Sequence, residues 1–147
     1  PEAQSLFNSD NCNTDFCFKT AGEMKDYIVG WLKAYEKEEF VRFSIVDKAL
    51  EKAVGAIEIF GMVGAYPDPV GVLRLDICSR YEQVDFLSEL LRIADCFFYE
   101  FRCEKIATKA VPHAVQRINA LIQNGYKACP VNKGGERKEY YLKCQPR

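Results

Sequence analysis

The sequence predicts an α/β domain in which helices flank a central β-sheet of mixed parallel and antiparallel strands. Three observations lead to this prediction. Several short segments alternate apolar and polar side chains, which is typical of strands, and others repeat apolar side chains at helical spacing. A strand–helix–strand unit between residues 71 and 111 requires a crossover, which makes its two strands parallel. The hairpins predicted before and after that unit add antiparallel strands.

The N-terminal part of the sequence predicts one helix followed by three strands. Residues 1–17 show little pattern, and a helix is predicted from Thr20, which has capping-box spacing to Glu23. The apolar residues of this helix form one stripe: Met24, Tyr27, Ile28, Trp31, Leu32 and Tyr35. Strands are predicted over 40–46, 54–60 and 71–77, with a hairpin link at 47–52 and a loop rich in glycine and proline at 61–70.

The C-terminal part predicts the strongest helix of the chain, over residues 86–102. One face of this helix carries Leu87, Leu90, Leu91, Ala94, Phe98 and Phe101. A strand is predicted over 105–111 and is ended by Pro112. A shorter helix follows, with Gly125 as its C-terminal cap and four residues predicted to face inward: Val115, Ile118, Leu121 and Ile122. Segments 126–131 and 138–144 predict a closing hairpin.

Length and charge narrow the classes of function. The 147 residues predict one domain spanning 1–147. Twenty basic residues against 21 acidic ones give a formal net charge of -1, which disfavours nucleic acid as a partner. No apolar run approaches the ~18 residues of a membrane helix, so no membrane partner is expected.

The cysteines and the single histidine indicate the expected compartment and metal content. The seven cysteines are an odd number, and we interpret them as free thiols of a protein in a reducing cytoplasm. No Cys-x-x-Cys motif occurs and His113 is the only histidine, so no metal site is expected.

An ordered set of segments resembles a known family. The residues that carry the likeness lie in segments 27–31, 43–46, 54–59, 71–77, 86–102, 105–110 and 120–126. In this order and with these lengths they resemble the GCN5-related N-acetyltransferases (GNAT), and especially the branch of the ribosomal-protein alanine acetyltransferases. The likeness covers residues 16–142, and segment 120–126 is similar to the family's closing signature of leucine, glycine and an aromatic residue. The family's usual first strand is not visible, and a start upstream of Pro1 would account for this.

The resemblance implies a cleft for acetyl-coenzyme A where two parallel strands splay apart. The strand that ends at Ile77 would bond the pantetheine arm through its backbone. The loop and helix N-terminus that follow would hold the diphosphate, because free N–H groups and the positive helix end attract anions. The resemblance therefore gives these cofactor-binding residues: Ile77, Cys78, Ser79, Gln83, Val84, Asp85, Phe86 and Leu87.

The diphosphate loop departs from the family pattern. That pattern has two small residues, which let backbone N–H groups approach phosphate, whereas here Asp85 and Leu87 occupy the two positions. At ~5 Å and an effective dielectric of ~20, a carboxylate repels a phosphate by about 3 kcal/mol before salt screening. Binding roughly tenfold to a hundredfold weaker is expected. Alternatively, Asp85 serves as the N-cap of a helix that starts at Phe86.

Three residues are candidates for proton transfer. Glu58 is the candidate base for the amine proton, directly or through water, with an exposed structural carboxylate as the alternative. His113 is a candidate contact to cofactor or substrate, or else a surface histidine at a helix start. Tyr140 is a candidate acid for the leaving thiolate, or else a packing residue. Ala114 and Leu121 stand where the family often has Asn and Tyr, and neither can donate a proton.

The resemblance implies an enzyme that transfers an acetyl group from acetyl-coenzyme A to a primary amine, either a protein N-terminus or a small molecule. The first alternative is a catalytically inactive member of the same fold that acts as a binding or regulatory module. The second is an unrelated mixed α/β domain. The acceptor amine stays open, and a homodimer is one expectation for the assembly.

Overall fold

A computed structural model describes residues 2–9, 12, 16–61, 70–129 and 139–146 of the chain. The helices are α1 (Glu2–Phe7), α2 (Ala21–Glu36), α3 (Val84–Ala94), α4 (Phe97–Glu100) and α5 (Val115–Gln123), with a 3-10 turn at Ser79–Tyr81. The strands are β1 (Val41–Asp47), β2 (Lys52–Gly61), β3 (Val70–Ile77), β4 (Lys105–Ala110), β5 (Lys127–Cys129) and β6 (Glu139–Cys144).

The strands form one mixed sheet, which confirms the predicted fold class. Among the described residues the strand order is β1-β2-β3-β4-β6-β5. The neighbours β3 and β4, joined by the crossover through α3, are parallel, and the other neighbouring strands are antiparallel. The predicted loop over 61–70 and the predicted hairpin turn fall mostly outside the described residues.

Helices cover both faces of the sheet. On one face α3 and α5 pack against strand residues that alternate along β2 and β3, namely Ile57, Ile59, Leu73, Leu75 and Ile77. On the other face α1 and α2 enclose a smaller cluster of Phe7, Cys12, Phe18 and Met24. Burying each large aliphatic side chain stabilises the fold by about 1.5–3 kcal/mol, so the α3/α5 face holds most of the core.

The first predicted helix begins where its cap predicts, but it buries less than its stripe suggests. The Thr20 hydroxyl accepts a bond from the Glu23 N–H at 3.1 Å, and the Glu23 carboxylate accepts from the Thr20 N–H at 3.3 Å, which completes the capping box. Within α2 only Met24 is fully buried. The stripe residues Leu32 and Tyr35 are exposed. The segment before it, predicted without structure, contains the short helix α1.

The helix predicted over 86–102 is interrupted. It begins two residues earlier, at Val84, and α3 ends at Ala94 before the separate turn α4. At the break, the N–H groups of Asp95 and Cys96 bond to carbonyls three residues back, and the Asp95 carboxylate accepts two bonds from Lys143 Nζ, at 2.5 and 2.7 Å. The continuous apolar periodicity does not reveal this break.

Helix α5 is rotated relative to the prediction. Val115 and Ile122, predicted to face inward, are 59% and 58% exposed. Leu121 is buried as predicted, together with Arg117 and Ala120. The predicted C-terminal cap is confirmed: Gly125 has φ 83, and the Tyr126 N–H returns to the Leu121 carbonyl at 3.0 Å. The rotation places a charged residue, Arg117, against the sheet.

No helix in the described part of the chain combines the length and the apolar character that crossing a bilayer requires. The same residues contain no group of three or more His, Cys, Asp or Glu side chains arranged to hold a metal ion.

Candidate functional site

The sheet opens between its two parallel strands. Pairing between β3 and β4 covers only Val70–Lys105, Gly71–Ile106 and Val72–Ala107. Beyond these pairs β3 stays paired with β2 as far as Ile77, and β4 stays paired with β6 as far as Ala110. Because each strand follows its own antiparallel neighbour, a wedge-shaped gap forms at their C-terminal ends. The predicted splay is therefore confirmed.

The backbone of β3 presents polar groups to this gap. Cys78, just after the strand, donates its N–H to the Val54 carbonyl of β2 at 2.8 Å. Backbone directions alternate along a strand, so the polar groups of Leu75 point the opposite way, towards β4. The Leu75 carbonyl accepts a hydrogen bond from Arg117 Nη1.

Arg117 reaches this carbonyl from α5 and also pairs with a carboxylate. Its Nη2 forms an ion pair with Glu82 Oε1, and its Nε donates to Glu82 Oε2 at 3.3 Å. The side chains are 3% and 9% exposed, so the pair is almost fully buried. Glu82 lies between the 3-10 turn and α3, and the Arg117 guanidinium thus links β3, the following loop and α5 across the gap.

The loop after β3 carries the predicted cofactor-binding residues. Ile77 is the buried last residue of β3, Cys78 is partly buried, and Ser79 is the exposed first residue of the 3-10 turn. Gln83 is the N-cap of α3 and its carbonyl accepts the Leu87 N–H at 2.9 Å. Since the first three N–H groups of a helix have no intrahelical partner, the N–H groups of residues 84–86 can face an anion.

The side chains of the first turn of α3 have different surroundings. Val84 and Phe86 are partly buried against the core, and Leu87 is fully buried in it. Asp85 is exposed in the first turn. It is not the N-cap, because α3 begins at Val84, so that alternative is wrong. A carboxylate in the first turn interacts favourably with the positive end of the helix dipole, yet it repels an anion bound at the same place.

Two cavities border the 3-10 turn. One of about 360 Å³ is lined by Arg80, Tyr81, Gln83 and Phe86. The other, of about 470 Å³, lies between the same turn and α1, and Arg80 lines both. The Tyr81 and Phe86 rings lie 5.6 Å apart and the Arg80 guanidinium carbon lies 4.6 Å from the Tyr81 ring centre. The loop therefore offers a cation and two aromatic rings beside the N-terminus of α3.

Tyr81 fixes this loop to the β1–β2 turn. Its hydroxyl donates to the Asp47 carboxylate, which lowers the pKa of Asp47 and raises the pKa of Tyr81. The Asp47 carboxylate also accepts from the backbone N–H groups of Ala49 and Leu50, at 2.9 and 3.1 Å. The bond thus holds one wall of the smaller cavity.

Glu58 lies on the opposite face of the sheet from Arg117 and is 6% exposed, so the expected exposed carboxylate is corrected to a buried one. In register with it on the adjacent strands are Arg42 and Arg74. Arg42 forms an ion pair with one Glu58 oxygen, and Arg74 Nη1 lies 3.5 Å from the other. Arg42 also stacks on Trp31, with 3.6 Å from the guanidinium carbon to the ring centre.

The other candidate residues lie beyond the gap. Tyr140 on β6 is paired in register with Lys109 of β4, whose ammonium lies 4.9 Å from the Tyr140 ring centre. Three strand spacings separate β2 from β6, so the backbones of Glu58 and Tyr140 are at least roughly 14 Å apart. His113 is exposed in the turn between β4 and α5. The described residues therefore do not bring the three candidates together in one cluster.

Four charged residues at the site were not predicted as site residues: Arg42, Arg74, Glu82 and Arg117. Arg42 and Arg74 alternate with apolar neighbours, as Glu58 does, and in-register pairing of the strands brings the three together. Arg117 stands three and four residues before Ala120 and Leu121 and so shares their helical face. Because Val115 and Ile122 are apolar but exposed, the apolar pattern of the sequence indicates a different face of the helix.

Comparison with solved structures shows the fold of the chain, whereas the sequence comparisons identify no family. No family model matches the chain, and no curated protein matches it. Among solved structures it is similar to the ribosomal-protein-S5-alanine acetyltransferase of Vibrio fischeri, with a TM-score of 0.75, 14% identity and coverage of 98% of this chain and 86% of that chain.

Two further structures have the same architecture. A variant of the spermidine N-acetyltransferase SpeG of Vibrio cholerae gives a TM-score of 0.70 at 16% identity, covering 97% of this chain and 86% of that chain. An acetyltransferase of Agrobacterium tumefaciens gives 0.69 at 12% identity, covering 99% of this chain and 84% of that chain.

Proposed function

We propose that this chain, which has the fold of the GCN5-related N-acetyltransferases, transfers an acetyl group from acetyl-coenzyme A to a primary amine. The observation that carries the proposal is the gap between β3 and β4, next to the N-terminus of α3. The structural neighbours named as ribosomal-protein-alanine and spermidine acetyltransferases support an amine as the acceptor class. The seven free thiols support a reducing, cytoplasmic location, and a homodimer stays a prediction.

The residues fit coenzyme A in part. The backbone edge of β3 that is not paired with β4 suits the amides of a pantetheine arm, and the first N–H groups of α3 suit a diphosphate. Arg80 adds a positive charge beside that helix end, whereas Asp85 adds a negative one. Ile77, Val84 and Phe86 would hold the carrier through their backbone, and the buried side chain of Leu87 would only support the helix. The backbone groups of Cys78 and Gln83 are already bonded within the protein, so these two residues, like Ser79, would line the site through their side chains.

Acetyl-coenzyme A supplies the acetyl group as a thioester. The chain contributes mainly positioning, which holds the amine against the carbonyl carbon, and removal of the amine proton. Glu58 is the proposed acceptor of that proton. Arg42 and Arg74 engage both of its oxygens, which leaves little room for direct contact with the amine. A water molecule would therefore carry the proton from the amine to Glu58. Tyr140, beside Lys109, and His113 are the proposed groups that face the leaving thiolate.

A non-catalytic binding module is the second candidate function. It is favoured by the Arg117–Glu82 pair, which bridges the gap, and by Asp85 at the helix N-terminus. Such a module would bind an acyl carrier or a peptide without transferring an acetyl group. Both candidate functions use the gap between β3 and β4. A measurement of amine acetylation distinguishes the transferase from the binding module.

Acetyl transfer is tested by mass spectrometry with acetyl-coenzyme A and two amines, spermidine and a peptide with an N-terminal alanine. We expect a mass increase of one acetyl group, saturable in acetyl-coenzyme A. Glu58→Gln is expected to lower the rate by at least tenfold, since a general base contributes typically a hundredfold or more. The matched control is Glu89→Gln, an exposed residue of α3. If coenzyme A at millimolar concentration gives no heat of binding, the transferase proposal is wrong.

A further inference from the structure

The gap between β3 and β4 contains a charged side chain that the proposed transfer does not use. Arg117 is buried, it projects from α5 into the gap, and it donates to the Leu75 carbonyl. That carbonyl is one of the polar groups that β3 presents towards β4. The guanidinium therefore takes the place of a donor that a ligand in the gap would provide.

Glu82 holds the guanidinium in this position. Its two carboxylate oxygens face Nε and Nη2 of Arg117, so the contact is bidentate and fixes the plane of the guanidinium as well as its location. Three of the five N–H donors of Arg117 are thereby accounted for, all at the gap. The pair spans from the loop before α3 to α5, which are the elements that border the gap beyond the last β3–β4 residue pair.

An ion pair is an unusual way to fill such a space. A buried pair loses the hydration of both charges, and apolar residues of similar volume often stabilise a protein equally well. A pair can, however, separate when a ligand supplies new partners. Coenzyme A carries amide N–H groups that can bond the Leu75 carbonyl and phosphates that can bond a guanidinium.

We propose that the Arg117–Glu82 pair is a plug in the pantetheine part of the cleft, which an acyl carrier must displace, so that Arg117 sets the affinity for the carrier. The inference rests on the proposed function, since the carrier is the one that acetyl transfer needs. It differs from the effect of Asp85, which lies at the helix N-terminus and would act on the diphosphate alone.

Two ligands distinguish the effect of the Arg117–Glu82 pair from the effect of Asp85. Pantetheine has the amide arm without the nucleotide, and coenzyme A has both. We expect the double variant Glu82→Gln/Arg117→Ala to bind both ligands at least tenfold more tightly than the natural chain in calorimetry. Asp85→Asn is expected to tighten coenzyme A alone. The control is Glu89→Ala/Arg92→Ala, which removes an exposed ion pair on α3 and is expected to change neither affinity.

A measurement on the natural chain guards against a double variant that does not fold. The Nε–H signal of Arg117 in a nitrogen–proton NMR spectrum is expected to be protected from solvent exchange, and addition of pantetheine is expected to shift it or abolish the protection. Pantetheine binding that leaves this signal unchanged would overturn the plug.

The outcomes distinguish the plug from the transferase. If the double variant binds pantetheine no better than the natural chain, or neither binds it, the plug is wrong, and acetylation of an amine would still support the transferase. If the double variant gains affinity for pantetheine while neither protein acetylates an amine, the plug stands and the transferase proposal fails.

Discussion

Replacing Arg117 by leucine tests whether the buried ion pair has the energetics that its geometry implies. The substitution leaves the carboxylate of Glu82 buried without its guanidinium and removes the hydrogen bond that Arg117 donates to the Leu75 carbonyl. Breaking a buried pair from one side costs about 3–5 kcal/mol of unfolding free energy. With an unfolding entropy of about 2.1 cal/mol/K per residue, this corresponds to a fall in Tm of roughly 10–16 °C for 147 residues.

The assay is chemical and thermal unfolding of four proteins in a double-mutant cycle. Glu82→Gln/Arg117→Leu removes both charges and is expected to lose much less stability than Arg117→Leu alone, because no uncompensated charge remains. The exposed pair Glu89 and Arg92 serves as the reference, and its removal is expected to cost about 0–1 kcal/mol. A loss below about 1 kcal/mol for Arg117→Leu would show that water reaches the pair, and the reasoning would fail.

Two other predictions concern Tyr126 and Gly55. Burial raises the pKa of Tyr126, so its contribution to stability is complete below the ordinary pKa of 10.0 and is lost as the pH rises above it. Tyr126→Phe should therefore flatten the fall of Tm between pH 9 and 11, and an unchanged alkaline slope would contradict this. Because the hydroxyl is buried without a hydrogen-bond partner among the described residues, the substitution should lower the stability only slightly at neutral pH. At Gly55 a Cβ would lie 2.6 Å from the Asp76 carbonyl oxygen, so Gly55→Ala should lower the unfolding free energy by about 1–3 kcal/mol in urea. Gly61→Ala, with open space around the added atom, is the control, and equal effects of the two would refute the clash.

The features of the fold that follow from local rules were predictable from the sequence. The capping box of Thr20 and Glu23 depends on residues three positions apart, and the turn at Gly125 on one residue with φ 83. The crossover over residues 71–111 fixes the parallel pair of strands. These rules suffice for the order of the elements along the chain, whereas the place where the sheet opens was implied by the family resemblance.

The features that depend on contacts distant in sequence were not predictable. The apolar residues of α5 allow more than one face, and the face that packs is the one on which Arg117 pairs with Glu82, 35 residues away. At the break after Ala94, Asp95 pairs in the same way with Lys143, 48 residues away. Asp85 was interpreted as a possible cap because local spacing alone does not show that α3 starts at Val84.

The candidate site was predicted as a region rather than as a set of side chains. The segment from Cys78 to Phe86 directly follows β3, and its role in binding a cofactor stays a prediction. Glu58 lies on the opposite face of the sheet from Arg117, between Arg42 and Arg74. Alternation along each strand predicts which face a side chain occupies, but it does not predict that these three residues meet. Which residues act in proton transfer stays a prediction, because that depends on the position of the acceptor amine.

The uneven pairing of β3 has a mechanical consequence. On one side it is bonded to β2 along its whole length, from Gly71–Gly61 to Ile77–Gly55, and on the other only its first residues are bonded to β4. Widening the wedge therefore costs fewest hydrogen bonds if β4 tilts outward together with β6, pivoting near Val72 and Ala107. The two halves of the sheet, β1-β2-β3 and β4-β6-β5, would then each move as one unit about that pivot.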